Sequence, residues 1–218
     1  MDNKALYSLQ YGVFLLGTKN ADGTKINACI TNTCFQAANS PNRIAISVIK
    51  QNLTCEMIEE SGVFALSVLA KSCSFETIKR FGYQSGRTAD KFAGFSYEKT
   101  ENGCPYISGE ACAVIEAMVC NKLDLGSHML FIAEVTEAKV LGSDEALTYA
   151  YYQSDIKNKV AGAGGAAGAG SAAASDIKIK GWRCKICGYE YNGAELAADF
   201  ECPICGHPAD DFEPIYAE

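Results

Sequence analysis

Residues Tyr11–Thr18 read YGVFLLGT, an apolar run with two aromatic residues, followed by Asn20-Ala21-Asp22-Gly23 and a second extended segment from Lys25. Turn residues set between two such runs predict a strand–turn–strand unit. Working outward, Arg43–Ile49 (RIAISVI) alternates and is rich in β-branched residues. Val63–Leu69 (VFALSVL) and Ala113–Val119 (AVIEAMV) share that character, and His128–Val140 (HMLFIAEVTEAKV) predicts a long strand. Two short helices interrupt. One starts near Thr54, which is placed to cap it, and ends at Gly62; the other runs from about Ser74 to Phe81 and stops at Gly82. Five or six strands with few helices predict a mainly-β barrel rather than a parallel α/β sheet. No GxGxxG fingerprint opens a strand–helix unit, which argues against a Rossmann domain.

The chain has 218 residues, 48% apolar and 21% charged, an ordinary globular composition. No apolar run approaches the ~18–20 residues of a membrane span. The first 25 residues scatter Lys4, Lys19 and Lys25 among apolar positions and lack the pattern of a secretory signal, so a cytoplasmic protein is expected. The net charge of −7, without a basic patch, argues against nucleic acid as a partner.

Residues 159–175 read KVAGAGGAAGAGSAAAS. Nothing in that stretch can build a core, and its five glycines oppose a stable helix. It reads as a flexible tether with a span of roughly 20–25 Å, dividing the chain into domains at residues 1–158 and 176–218. The second domain carries 4 basic and 9 acidic residues, a net −5 that suits a basic surface on a partner as well as simple solubility. Seven cysteines are scattered through the first domain: Cys29, Cys34, Cys55, Cys73, Cys104, Cys112 and Cys120. An odd set in a reducing compartment reads as reduced thiols, mostly buried as small apolar side chains.

The other four cysteines cluster. Cys184 and Cys187 form one C-x2-C, and 14 residues later Cys202 and Cys205 form another. Two thiolates three apart in a tight turn point at one ion, and two such turns make a tetrahedral S4 cage. Gly188 and Gly206 follow each pair and let backbone N–H groups turn toward the sulfurs. A domain of about 40 residues also needs such a staple, because its core is too small to stand alone. Spacing leaves zinc and iron both open. The flanking aromatics Trp182, Tyr189, Tyr191, Phe200 and Phe212, with CxxCGYxY, CPxCG and the Asp211–Pro214 ending, resemble a rubredoxin, in the compact form attached to rubrerythrins. That resemblance implies one iron cycling between Fe2+ and Fe3+; a structural zinc ribbon is the alternative.

The first domain has one histidine, His128, and no nucleophile elbow, HExxH or P-loop. Chemistry borrowed from a cofactor remains open. Lys50, Asn52 and Thr54 supply a charge and donors just before a helix N-terminus, a favourable place for a dianion. Several segments resemble the flavin reductases with an FMN-binding split barrel: Asn27-Ala28-Cys29-Ile30-Thr31-Asn32-Thr33-Cys34-Phe35-Gln36, then Ile49-Lys50-Gln51-Asn52-Leu53-Thr54, then Ser85-Gly86-Arg87-Thr88-Ala89-Asp90-Lys91-Phe92. The resemblance implies that Asn27, Ala28, Asn32, Thr33, Lys50, Asn52, Thr54, Ser85, Gly86 and Lys91 line FMN. It implies a place for His128 near flavin and nicotinamide, with Ser127 where relatives carry Asp. Ile30 stands where relatives commonly carry Thr.

The pairing of the two modules in this order resembles the high-molecular-weight rubredoxins. That resemblance implies an oxidoreductase taking electrons from NADH or NADPH through FMN to the iron and on to a flavodiiron protein that reduces nitric oxide or dioxygen, as a homodimer with FMN near the subunit interface. The tether would raise the local concentration of each encounter. Two other readings stand beside it: a flavin reductase releasing reduced flavin, and an FMN-binding barrel with a zinc ribbon as docking module.

Overall fold

The computed structural model describes Ala5 and residues 8–157, 179–184, 190–200, 202 and 208–216. The chain divides into two compact units, Met1–Ala161 and Gly162–Glu218. The expected tether at 159–175 lies outside the described residues.

In the first unit β1 (Phe14–Lys19), β2 (Ile26–Thr31), β3 (Cys34–Asn39), β4 (Asn42–Ile49), α1 (Leu53–Ser61), β5 (Val63–Leu69), α2 (Phe75–Gly82), β6 (Glu98–Lys99), β7 (Pro105–Tyr106), β8 (Ala111–Asp124) and β9 (His128–Val140) follow in order. Seven of these strands form one antiparallel sheet in the order β2-β1-β5-β8-β9-β4-β3. Its edge strands β2 and β3 are joined through Asn32 and Thr33 alone. A link so short requires the sheet to curl until its two edges meet, which is the predicted barrel.

β1 is buried on both faces. Leu16 packs with Ile44, Ile46, Phe64, Leu66, Phe131 and Ile58 of α1, while Leu15 packs with Ile78 and Phe81 of α2 and with Phe92 and Leu147. That is why Tyr11–Thr18 reads as a continuous apolar run rather than an alternating one. α1 ends at Gly62 (φ 71°), whose N–H donates to the Ile58 carbonyl at 2.9 Å, as expected. The start differs from expectation. Asn52 is the cap, its Oδ1 accepting from the Thr54 N–H at 3.2 Å, while Thr54 sits one position inside the helix. The Thr54 hydroxyl instead accepts from Asn27 Nδ2 at 2.9 Å. Ser74 caps α2 through the Thr77 N–H at 3.2 Å.

Two further differences concern strands. β3 (CFQAAN) is not expected from the sequence: it is an edge strand with three exposed residues in its middle, and its mixed composition carries no periodic signal. β8 extends to Asp124, because its second half pairs only with β9 and needs no apolar core face.

None of the seven scattered cysteines forms a disulfide. Cys29, Cys55, Cys73 and Cys104 are buried, Cys34 and Cys112 are half-buried, and Cys120 is exposed. Burial pushes the Cys34, Cys55 and Cys104 thiols up to about 12, so they stay protonated and unreactive near neutral pH.

In the second unit β10 (Ile179–Cys184) lies between β11 (Glu190–Tyr191) and β12 (Phe212–Tyr216), all antiparallel. Tyr191, Phe200 and Phe212 stack in sequence with ring centroids 4.8 and 5.4 Å apart. A Cβ at Gly181 would lie 2.6 Å from the Tyr191 carbonyl oxygen, so only glycine lets these strands approach so closely.

Candidate functional site

Three segments far apart in sequence meet beneath one end of the barrel. Asn27 on β2 donates through Nδ2 to Thr54 Oγ1 on α1 at 2.9 Å. Gly86, in the loop after α2, lies directly against the Asn27 amide. Lys91, from the same loop, donates through Nζ to the carbonyls of Ala28 at 3.0 Å and Phe81 at 2.9 Å. Ala28 and Thr54 are fully buried, and Asn27 and Lys91 are 4% exposed. Burial pushes the Lys91 ammonium below its usual range, opposed in part by neighbouring Cys29. The side chains of Asn27, Thr54 and Lys91, with the Ala28 carbonyl, therefore clamp the segments together. They offer almost no surface of their own. Ile30 packs at the edge of the same core and meets Gly82.

Above this clamp lies a polar rim at the start of α1. Lys50 pairs with Asp124 at 2.6 Å, and both are substantially exposed. Asp124 also accepts from the Gly126 N–H at 2.8 Å. The Asp124 hydrogen bond holds the Lys50 ammonium above its usual range, and the same bond, with Gly126, holds the Asp124 carboxyl below its own. Arg87 donates to the Gln51 carbonyl at 3.3 Å and pairs with Glu56 in the first turn of α1. Ser85 is exposed, and its hydroxyl accepts from the Arg87 N–H at 3.2 Å, shaping the loop.

Asn32 and Thr33 sit in the β2–β3 crossing, half-buried and joined to each other at 3.0 Å. The Thr33 carbonyl accepts from the Ser47 N–H at 3.4 Å. His128 opens β9 opposite Ile49, next to Lys50, whose N–H donates to the Ser127 carbonyl at 3.1 Å. Burial pushes the half-buried imidazole below its usual range. Ser127 Oγ lies 2.9 Å from His128 Nδ1, a hydrogen bond that helps to orient the ring.

The fold thus brings Lys50, Asn52, Ser85 and His128 to one end of the barrel, over the clamp formed by Asn27, Ala28, Thr54, Gly86 and Lys91. Sequence reasoning missed Arg87, which occupies a variable position of the S-G-x-x-x-D-K-F pattern, and its counter-ions. Their signal was only that charged residues of both signs flank the motifs. The donor set suits a phosphate: Lys50 and Arg87, both on flexible stems, stand near a helix N-terminus, where a dianion is favoured.

In the second unit Cys184 is fully buried at the end of β10, and Cys202 is 2% exposed. Cys187 and Cys205 lie outside the described residues. Buried thiols beside an aromatic stack suit a metal bound by soft sulfur ligands.

The sequence profile of the flavin reductase-like domain matches residues 6–159, and that of the rubrerythrin rubredoxin-like domain matches residues 182–213. A high molecular weight rubredoxin of Moorella thermoacetica is 36% identical over 231 aligned residues, 99% of this chain and 100% of the relative. The chain belongs to the high-molecular-weight rubredoxins. Within this family the barrel also resembles single-module enzymes. A ferric-chelate reductase (NAD(P)H) of Archaeoglobus fulgidus is 39% identical over 159 residues, 73% of this chain and 93% of the relative. An NADH:FAD oxidoreductase of Streptomyces globisporus superimposes with a TM-score of 0.59 over 67% of this chain and 85% of that one, at 21% identity, a likeness of fold.

Proposed function

We propose that this high-molecular-weight rubredoxin is an NAD(P)H-dependent oxidoreductase. It passes electrons through FMN in the barrel to an iron held by Cys184, Cys187, Cys202 and Cys205, and on to a flavodiiron-type acceptor protein. The observation that carries the reading is the presence of both modules in one chain: the barrel whose motif residues converge at one end, and the buried thiols beside an aromatic stack. When bound, flavin takes two electrons together from a nicotinamide and gives them up singly, and iron in an S4 cage accepts one at a time.

The residues divide the remaining work. Lys50 and Arg87 bind the flavin phosphate, and Asn52 holds the helix N-terminus in place beneath it. Asn27, Thr54, Gly86 and Lys91 keep the two loops in register. His128, kept neutral by burial and hydrogen-bonded through Nδ1 to Ser127, would stand near the nicotinamide, as the family resemblance implies.

The exposed apolar residues Phe35, Met118, Leu123 and Leu125 support a homodimer; the last two flank Asp124, so the interface would adjoin the flavin. No described helix is long and apolar enough to cross a membrane. The reduced thiols of the barrel support a cytoplasmic setting.

The test is an anaerobic visible spectrum of the purified protein before and after stoichiometric NADH, with metal analysis. Flavin and ferric bands that both bleach are expected. Flavin bleaching with the iron bands unchanged would refute the internal chain, and a colourless tail containing zinc would refute the iron assignment.

A further inference from the structure

Both cations of the α1 rim already have carboxylate partners. Lys50 Nζ lies 2.6 Å from Asp124 Oδ2, with the two side chains 39% and 54% exposed. Arg87 Nη2 pairs with Glu56 Oε1, at 46% and 47% exposure. The pairs stand on different elements: Asp124 at the end of β8, Glu56 in the first turn of α1. Both carboxylates also lie where they compete with an incoming anion for the same positive ends. Glu56 is the one acidic residue in the first turn of α1, so it already offsets the helix N-terminus that favours a dianion. A phosphate approaching Lys50 and Arg87 must either displace these carboxylates or bind beside them against like-charge repulsion.

We propose that Asp124 and Glu56 set the affinity of the rim for the flavin phosphate, holding its cations in pairs that a phosphate must exchange. This rests on the reading that Lys50 and Arg87 bind that phosphate. Exposed pairs of this kind are weak enough to be exchanged readily and strong enough to matter, each changing an equilibrium by about two- to fivefold. The consequence is a flavin held less tightly than its cations alone would allow.

The experiment uses the full chain stripped of flavin, titrated with FMN and, separately, with riboflavin, which lacks the phosphate; binding is read from quenching of flavin fluorescence. Asp124→Asn keeps an amide oxygen for the Gly126 N–H, and Glu56→Gln keeps the side-chain length. Each should tighten FMN by about two- to fivefold and the pair together by about tenfold, with riboflavin unchanged, and the gain should shrink at high salt. FMN binding that is unchanged or weaker in both variants, while Lys50→Ala and Arg87→Ala weaken it, would overturn the proposal and leave the phosphate site standing. Equal tightening of riboflavin would overturn it too, since the effect would not run through phosphate. If Lys50→Ala and Arg87→Ala left FMN binding intact, the phosphate reading itself would fall, and the proposal with it.

Discussion

Gly86→Ala probes the clamp beneath the flavin site. A Cβ built on Gly86 lies 2.3 Å from Asn27 Oδ1, 2.7 Å from Cγ and 2.8 Å from Nδ2, all closer than real Cβ contacts allow. Asn27 cannot swing away cheaply. It is 4% exposed, and its Nδ2 donates to the fully buried Thr54 hydroxyl at 2.9 Å. Either Asn27 moves and strands buried polar groups, or the loop carrying Gly86 lifts off. Overpacking and a lost buried hydrogen bond each cost about 1–3 kcal/mol. Because lifting the loop relieves both at once, the two do not add, and about 2 kcal/mol is the expected loss. For a unit of this size that lowers the midpoint of thermal unfolding by about 4–8 °C. The assay is thermal unfolding followed by far-ultraviolet circular dichroism, with FMN titration alongside; fluorescence of the single tryptophan, Trp182, would report on the other unit. Asn27→Ala removes the obstacle, so in the double variant Gly86→Ala should cost much less than it does alone. Unchanged stability and FMN affinity in Gly86→Ala, or purely additive effects in the cycle, would show that the loop does not rest on Asn27.

Lys91→Met should destabilise the barrel by about 2–4 kcal/mol in urea unfolding, since two buried carbonyls lose their donor; a loss under about 0.5 kcal/mol would mean that water replaces the ammonium. His128 has a lowered folded-state affinity for protons. Its contribution to stability is therefore fully present above the unfolded value of about 6.5 and is lost as pH falls through the lower folded value. Proton NMR should place the imidazole midpoint below about 6.5, and His128→Gln should flatten the acid limb of stability against pH; a midpoint above that value contradicts the burial argument. Cys184→Ser should abolish the ferric absorption and leave the flavin bands, so a chain that keeps its iron spectrum would remove Cys184 from the ligand set.

Much of this molecule is legible in its amino-acid sequence. Strands announce themselves where one or both faces are buried, as in Val63–Leu69 and His128–Val140, and helix α1 stops at Gly62 because only glycine adopts its left-handed φ of 71° without strain. β3 is not legible, because an edge strand needs little apolar periodicity. The helix cap is ambiguous in sequence because Asn52 and Thr54 are both good capping residues; in the fold Asn52 caps, while the Thr54 hydroxyl accepts from Asn27, 27 positions earlier. Lys91 reads as a ligand-facing charge in its motif, whereas its two carbonyl partners place it in the interior.

The sequence alone determined the two modules, the metal-ligand spacing and the barrel's strands other than β3, because C-x2-C geometry, turn chemistry and hydrophobic periodicity act over a few neighbouring residues. Only the tertiary structure decided which motif residues face outward and which are buried supports, and that the rim's cations are already paired. Burial and charge pairing depend on elements dozens of residues apart: Lys50 meets Asp124 across 74 positions of chain, a distance over which local patterning carries no information.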